Sequence, residues 1–226
     1  MRSAGAFGRG ARSAIEWSMA FLLPQVCPRC RALSATGGML CATCRAEAIL
    51  ARSSPRPPLG LEAIACGPEL VPPVRILVHG LKYGSLRSAA DELVSLAGPA
   101  VPDGFCHPGS VLVPVPLHPS RLRERGYNQS ALSAKAWARR LGVPVAERWL
   151  ERRRPTGTQT RLGSADRRRN LSQAFAVGKE FKSGAPVVLV DDVLTTGATL
   201  SACAAVLLAA GASSVRGLCL AWAGDA

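Results

Sequence analysis

Four apolar, mostly β-branched residues, Val187-Val188-Leu189-Val190, run without interruption into Asp191-Asp192 and then into Val193-Leu194-Thr195-Thr196-Gly197-Ala198-Thr199. An unbroken apolar run of this length predicts a strand covered on both faces, and the alanine- and leucine-rich stretch from Leu200 to Ala210 predicts a helix behind it. The same reading of apolar and polar positions predicts strands at Glu62 to Cys66, Val111 to Pro116, near Arg148, Ala174 to Val177 and Ser214 to Ala221. Helices are expected at Val71 to Leu81 and Leu86 to Leu96, with one long basic helix from about Pro119 to Leu141. Prolines at positions 114 and 116 require that the second strand end abruptly or carry an unusual turn. Strands alternating with helices predict an α/β fold, a mostly parallel sheet flanked by helices, whose ligands gather at the carboxyl ends of the strands.

The junction after Asp192 carries candidate chemistry. Free backbone N–H groups, the positive end of the helix dipole and the hydroxyls of Thr195, Thr196 and Thr199 suit a phosphate. A phosphate alone does not favour neighbouring carboxylates. Asp191 and Asp192 make sense if the ligand also offers neutral hydroxyls or brings a divalent cation, a combination that describes a phosphorylated sugar. Helix capping by these residues is the plainer alternative, but capping uses one such side chain rather than five in this order. Neither the nucleotide P-loop nor the dinucleotide fingerprint is present.

Charge adds a second constraint. The 226 residues carry a net charge of +13, which points to anionic partners such as nucleotides, diphosphates or a nucleic acid backbone. Residues 121 to 169 hold fourteen Lys/Arg against four Asp/Glu, so most of the excess sits there. Just ahead of that span, Pro116-Leu117-His118 leads into the alternating Arg121, Arg123 and Arg125, which can donate bidentate hydrogen bonds to a diphosphate or form a solvated helix face. His118 is either a general acid or base or a structural hydrogen-bonding residue. A polar stretch containing Arg154, Gln159 and Arg161 reads as a mobile loop closing over an anion, or as a disordered basic loop.

Eight cysteines are present, four of them as Cys27-Pro28-Arg29-Cys30 and Cys41-Ala42-Thr43-Cys44. Two such turns brought together give tetrahedral thiolate ligands for Zn²⁺, and a closed set of four leaves the ion structural. Disulfides or redox motifs are the competing readings, the first unsuited to a reducing cytosol. Cys66, Cys106, Cys203 and Cys219 lack such spacing and read as small buried hydrophobes. The stretch from Arg52 to Gly60 is rich in proline and serine and suits an extended linker. The expected division is residues 1–58, with an N-terminal helix and zinc module, and residues 59–226, the α/β domain. No apolar run is long enough to span a bilayer. The segment Ala14 to Leu23 follows Arg2, Arg9 and Arg12 as a secretory signal would, but Glu16 interrupts it and no small-residue cleavage site follows. An amphipathic helix and a cytoplasmic chain are therefore expected.

The strand, the two acids and the Thr-Thr-Gly-x-Thr turn resemble the phosphoribosyl diphosphate (PRPP) loop of type I phosphoribosyltransferases. In order, Cys-x-x-Cys twice, Leu81-Lys82-Tyr83-Gly84, Val113-Pro114-Val115-Pro116-Leu117-His118, Arg125-Gly126-Tyr127-Asn128-Gln129, Arg168-Arg169-Asn170-Leu171 and the aspartate strand look like the ComF family of competence-associated, phosphoribosyltransferase-like proteins. The resemblance runs from about residue 20 to the C-terminus. It implies a type I phosphoribosyltransferase fold with an N-terminal zinc ribbon. Asp191 and Asp192 would hold the ribose hydroxyls, and Thr195, Thr196, Gly197, Ala198 and Thr199 would wrap the 5′-phosphate. Pro116, Leu117, His118 and Arg123 would meet the diphosphate together with Mg²⁺. The implied activity is phosphoribosyl transfer with release of diphosphate, connected with DNA uptake. The alternative is a PRPP-binding protein without catalysis that handles single-stranded DNA or meets other competence proteins. Sparse aromatic residues, 5% of the chain, leave few platforms for stacking bases. No segment encodes the acceptor.

Overall fold

The computed structural model describes residues 25–34, 37–51, 54–84, 86–153 and 174–224. The expected helix at Ala14 to Leu23 and the loop bearing Arg154, Gln159 and Arg161 lie outside the described residues.

Four strands form a parallel sheet: β1 (Ile64–Cys66), β2 (Val111–Pro114), β5 (Pro186–Leu194) and β6 (Ser214–Trp222), in the order β1-β6-β5-β2. A separate antiparallel pair joins β3 (Leu150–Arg152) to β4 (Phe175–Val177). Parallel neighbours need crossovers, and these come from α2 (Pro72–Tyr83), α3 (Ala89–Ala97), α4 (Pro119–Arg125), α5 (Gln129–Leu141) and α6 (Ala198–Ala209). Along β5, Val188 and Val190 enter one buried cluster with α2, α3 and α5, while Val187 and Leu189 enter the other with α6, β3 and β4. Burial on both faces is why this strand reads as a continuous apolar run.

Helix α2 opens with Pro72 and Pro73, whose fixed φ suits the first turn, and buries Val74, Leu77, Val78 and Leu81 at helical spacing. The predicted single basic helix is two helices. Gly126 adopts φ 74°, and its N–H closes α4 on the Leu122 carbonyl; Asn128 Oδ1 then accepts from Ser130 N at 3.0 Å and starts α5. Lys and Arg positions on both sides of Gly126 resemble one continuous pattern, and only the left-handed glycine separates them. β2 stops at Pro114, as its prolines require. The strand bearing the aspartates is longer than its apolar run suggests, because the ladder to β6 continues through Asp191 to Leu194.

The cysteine segment and α1 (Ala42–Leu50) lie against α2 and α3 rather than apart from them. Leu40, Cys41, Cys44 and Ala48 share a core cluster with Leu93 and Val94. Glu92 is buried, accepts from Arg45 Nη1 at 2.6 Å and from Met39 N at 3.2 Å, and ties the two parts together. A carboxylate in that position is tolerated because it is paired and hydrogen-bonded. Among the described residues no helix is long and apolar enough to cross a membrane.

Candidate functional site

At the carboxyl end of β5 both acids accept from the first residues of α5. Asp192 is buried, and its Oδ2 accepts from Gln129 Nε2 at 3.0 Å and lies 3.3 Å from Lys82 Nζ. Asp191 is half-buried; its Oδ1 accepts from Ser130 Oγ at 3.0 Å and from Asp192 N at 2.9 Å. Burial, followed by the negative charge of Asp192, raises the Asp191 pKa from 3.8 to about 7, against the opposing effects of the Asp192 N–H, Ser130 and Lys82.

A stability consequence follows for the free protein. Folded Asp191 holds its proton at pH values where the unfolded chain has released it, so this group's contribution to stability declines as pH rises from about 4 to 7 and is flat above. Asp191→Asn removes the decline. Its stability relative to the parent should be greater at pH 8 than at pH 5 by roughly 1 to 3 kcal/mol. Thermal melts at the two pH values check this, and parallel profiles for the two proteins would count against it.

The turn after β5 exposes Thr195 and Thr196 and places half-buried Thr199 in the first turn of α6. Thr196 Oγ1 accepts from Ala198 N at 3.4 Å, and Gly197 O accepts from Ser201 N at 2.9 Å. Gly197 has φ 72°, and a Cβ there would stand 2.5 Å from Pro58 Cγ. The segment before β1 thus presses on the back of the turn. Gly197→Ala combines a left-handed backbone with that clash and should cost about 2 kcal/mol or more, lowering Tm by roughly 5 °C. An unchanged melt would show that Pro58 gives way freely.

Across from the turn, Pro116, Leu117 and His118 are half-buried at the end of β2. His118 Nδ1 accepts from Ser120 N at 3.2 Å and lies 2.7 Å from Ser120 Oγ, so in this state the imidazole caps α4. Arg123 is exposed. On the α6 side, Arg152 of β3 lies over the Phe175 ring at 5.3 Å. Burial, and next the positive charge of Arg121, lower the Arg152 pKa, while Cys203 and Asp191 oppose the change. Arg152 therefore lies within electrostatic reach of both Asp191 and Cys203.

Lys82, Gln129, Ser130 and Arg152 were given no role at the aspartate pair by sequence reasoning. Lys82 and Gln129 do stand within the quoted motifs and Arg152 opens the basic stretch that contains Arg154, whereas Ser130 carries no such mark. All four come from elements far from β5 in sequence, and the parallel sheet brings them together.

The second cluster is formed by Cys27, Cys30, Cys41 and Cys44, whose sulfur atoms all lie within 4.8 Å of one another. Cys30 Sγ is 3.5 Å from Cys41 Sγ and 3.8 Å from Cys44 Sγ. A tetrahedron with about 2.3 Å metal–sulfur bonds has sulfur–sulfur edges of about 3.8 Å. The set is compatible with a structural zinc site. Burial pushes the Cys27 thiol up, but hydrogen bonding by the backbone of Cys30, Cys41 and Arg29 outweighs it and leaves a pKa of about 6. Cys44, raised by burial and the neighbouring thiols, sits at about 12.

Comparison with known proteins supplies context for both clusters. A phosphoribosyl transferase domain model matches residues 128–225, the span from the Asn128 cap through β6. The chain is similar to DNA utilization protein YhgH of Salmonella typhi, with 33% identity over 231 residues covering 88% of this chain and 97% of that protein. It also resembles competence protein F of Haemophilus influenzae, 40% identical over 107 residues and covering 46% of this chain and 47% of that one. Competence protein ComFC of Bacillus subtilis shares 36% over 112 residues, 49% of this chain and 43% of the relative. With a relative matching almost end to end and the Asp191-Asp192 strand set in a parallel α/β sheet, the chain belongs to the ComF family within the type I phosphoribosyltransferase superfamily.

Proposed function

We propose that the protein binds PRPP at the carboxyl end of β5 and transfers its 5-phosphoribosyl group to an acceptor, releasing diphosphate. The observation that carries the reading is the pair Asp191 and Asp192, held by Ser130, Gln129 and Lys82 directly before the Gly197 turn. Asp191 and Asp192 accept hydrogen bonds from the ribose hydroxyls. Thr195, Thr196 and Thr199, with the backbone N–H groups of Gly197 and Ala198, hold the 5′-phosphate at the start of α6. Pro116, Leu117, His118 and Arg123 border the diphosphate.

Transfer breaks the bond between ribose C1 and the diphosphate oxygen, which keeps the electron pair, as an acceptor lone pair bonds to C1. Positive charge grows on the sugar and negative charge on the leaving group. Arg152 favours that separation from the side of Asp191, and Mg²⁺ bound with PRPP would offset the remaining negative charge. Positioning and electrostatics then supply most of the rate.

Zinc held by the four cysteines stabilises the cysteine segment and α1 on the transferase domain. The cellular setting is the cytoplasm, where thiols remain reduced. The names of the relatives, a DNA utilization protein and competence proteins, support a role connected with DNA uptake. They equally favour a second reading, a non-catalytic PRPP-binding protein that handles single-stranded DNA. Calorimetric titration with PRPP and Mg²⁺, followed by measurement of diphosphate release in the presence of candidate acceptors, separates the two. Binding with release supports the transferase, binding without release the second reading, and absence of binding overturns both.

A further inference from the structure

The two acids of β5 are not held alike. Asp192 Oδ2 has the Gln129 amide at 3.0 Å and the Lys82 ammonium at 3.3 Å, the latter reaching in from the last turn of α2. Asp191 takes its hydrogen bonds from neutral donors, Ser130 Oγ and Asp192 N. One carboxylate therefore carries an ion pair and the other rests on dipoles.

Six consecutive residues keep this arrangement in register. Arg125 lies over the Tyr83 ring at 4.8 Å, and Gly126 ends α4 with its left-handed backbone. The Tyr127 hydroxyl donates to the Leu81 carbonyl at 2.5 Å, and Asn128 Nδ2 donates to the Val115 carbonyl at 3.0 Å. Gln129 and Ser130 then reach Asp192 and Asp191. Leu81 and Tyr83 flank Lys82, so both of its chain neighbours are gripped by the segment that also holds the acids. An ordinary ion pair is the plainer reading, but a buried pair is weak support for a fold, and ordering a lysine stem costs side-chain entropy. Its place beside the acids gives the pair a different use.

We propose that Lys82 is a positioning residue of the phosphoribosyl site: the resident counter-ion of Asp192, held in register by residues 125–130, which leaves Asp191 as the acid whose charge the bound sugar must satisfy. The inference rests on the phosphoribosyl reading of this site. Asp191 is faced by Asp192 on its own strand, Lys82 from α2, Arg152 from β3, Cys203 from α6 and Cys219 from β6. Arg152 stays charged. Burial raises the Cys203 thiol, and the hydrogen bond with Cys66, followed by burial, raises that of Cys219, so both stay neutral below pH 9. Lys82 is one of the groups that oppose the upward push of burial and Asp192 on Asp191. Without it Asp191 keeps its proton to higher pH. Because the folded value then stands further above the unfolded one, the decline in stability with rising pH extends beyond neutrality, and the deficit of the variant grows with pH.

The test compares full-length parent, Lys82→Met, Lys82→Arg and Lys82→Met with Asp192→Asn, each melted at pH 5.5 and 8.5 and titrated with PRPP and Mg²⁺ across that range. The Tm deficit of Lys82→Met should be larger at pH 8.5 than at pH 5.5 by about 2 °C or more. Adding Asp192→Asn should remove that growth, since no unpaired charge remains, and Lys82→Arg should keep the parent profile. In Lys82→Met the midpoint of PRPP affinity should move to higher pH, with binding at pH 7 weakened about threefold or more. A Tm deficit equal at both pH values, or one that Asp192→Asn leaves growing with pH, would mean that only the lysine stem matters and overturns the proposal. So would PRPP binding to the parent and Lys82→Met with the same midpoint. Failure of the parent to bind PRPP would sink the phosphoribosyl reading alone, since the pH-dependent deficit and its recovery would still establish Lys82 as the counter-ion of the acids.

Discussion

Replacing Asp191 and Asp192 together with alanine is expected to weaken PRPP binding at least a hundredfold while the protein remains folded. Each carboxylate would accept charge-assisted hydrogen bonds from the sugar, and such bonds contribute about 1.5 to 3 kcal/mol apiece, so losing both removes at least two decades of affinity. The fold tolerates the change because the carboxylates burden the free protein. Burial and mutual repulsion already raise the Asp191 pKa to about 7. Asp192 is more deeply set, and its removal leaves the buried Gln129 amide and Lys82 without their acceptor. Asp192→Asn keeps the shape and an amide oxygen for these donors while deleting the charge, and serves as the structural control. Calorimetry with Mg²⁺ and PRPP, paired with a thermal melt of each variant, checks both halves of the expectation. Unchanged affinity in a folded double variant would overturn the site assignment.

The residues that the sequence made legible share one property: their chemistry is local. Val187 through Thr199 is one stretch in which strand, acids, glycine turn and helix start follow in order, and both the fold class and the turn at Gly197 could be read from it. The two Cys-x-x-Cys pairs are local in the same sense, and their four sulfur atoms do converge. What escaped depends on contacts between distant segments. Lys82 and Gln129 meet Asp192 across 110 and 63 positions of chain, and nothing in their own neighbourhoods indicates a carboxylate. The break between α4 and α5 escaped for another reason. Basic residues flank Gly126 on both sides, and the periodicity continues across a residue whose left-handed conformation ends the helix. The antiparallel β3 and β4 pair were legible as strands but not as a separate ribbon, because partner choice is not written in short alternating segments.

Removing the metal proposed for Cys27, Cys30, Cys41 and Cys44 is the other change with a large expected effect, and it should act on stability more than on the phosphoribosyl site. Structural zinc held by four thiolates contributes roughly 10 kcal/mol in small isolated domains. Here the cysteine segment also lies on a preformed α/β body, so part of that energy remains when the ion leaves. A loss of about 5 kcal/mol is expected, which for a chain of this size lowers Tm by roughly 10 to 20 °C. The route is explicit. Without the ion, Leu40, Cys41 and Cys44 no longer fix the start of α1, Arg45 loses its register, and Glu92 is left as a buried carboxylate without its guanidinium partner. Glu92→Gln should therefore recover part of the stability lost in Cys30→Ser with Cys41→Ser, whereas in the intact protein it should be destabilising because Arg45 then loses its charge partner. PRPP affinity measured well below Tm should change by less than threefold, since Asp191 and Asp192 are held from α2 and α5 rather than from the thiolate cluster. Metal analysis of the purified protein and melts before and after chelation check the sequence of events. Near-stoichiometric zinc whose removal leaves Tm unchanged would mean that the α/β body alone holds the cysteine segment in place.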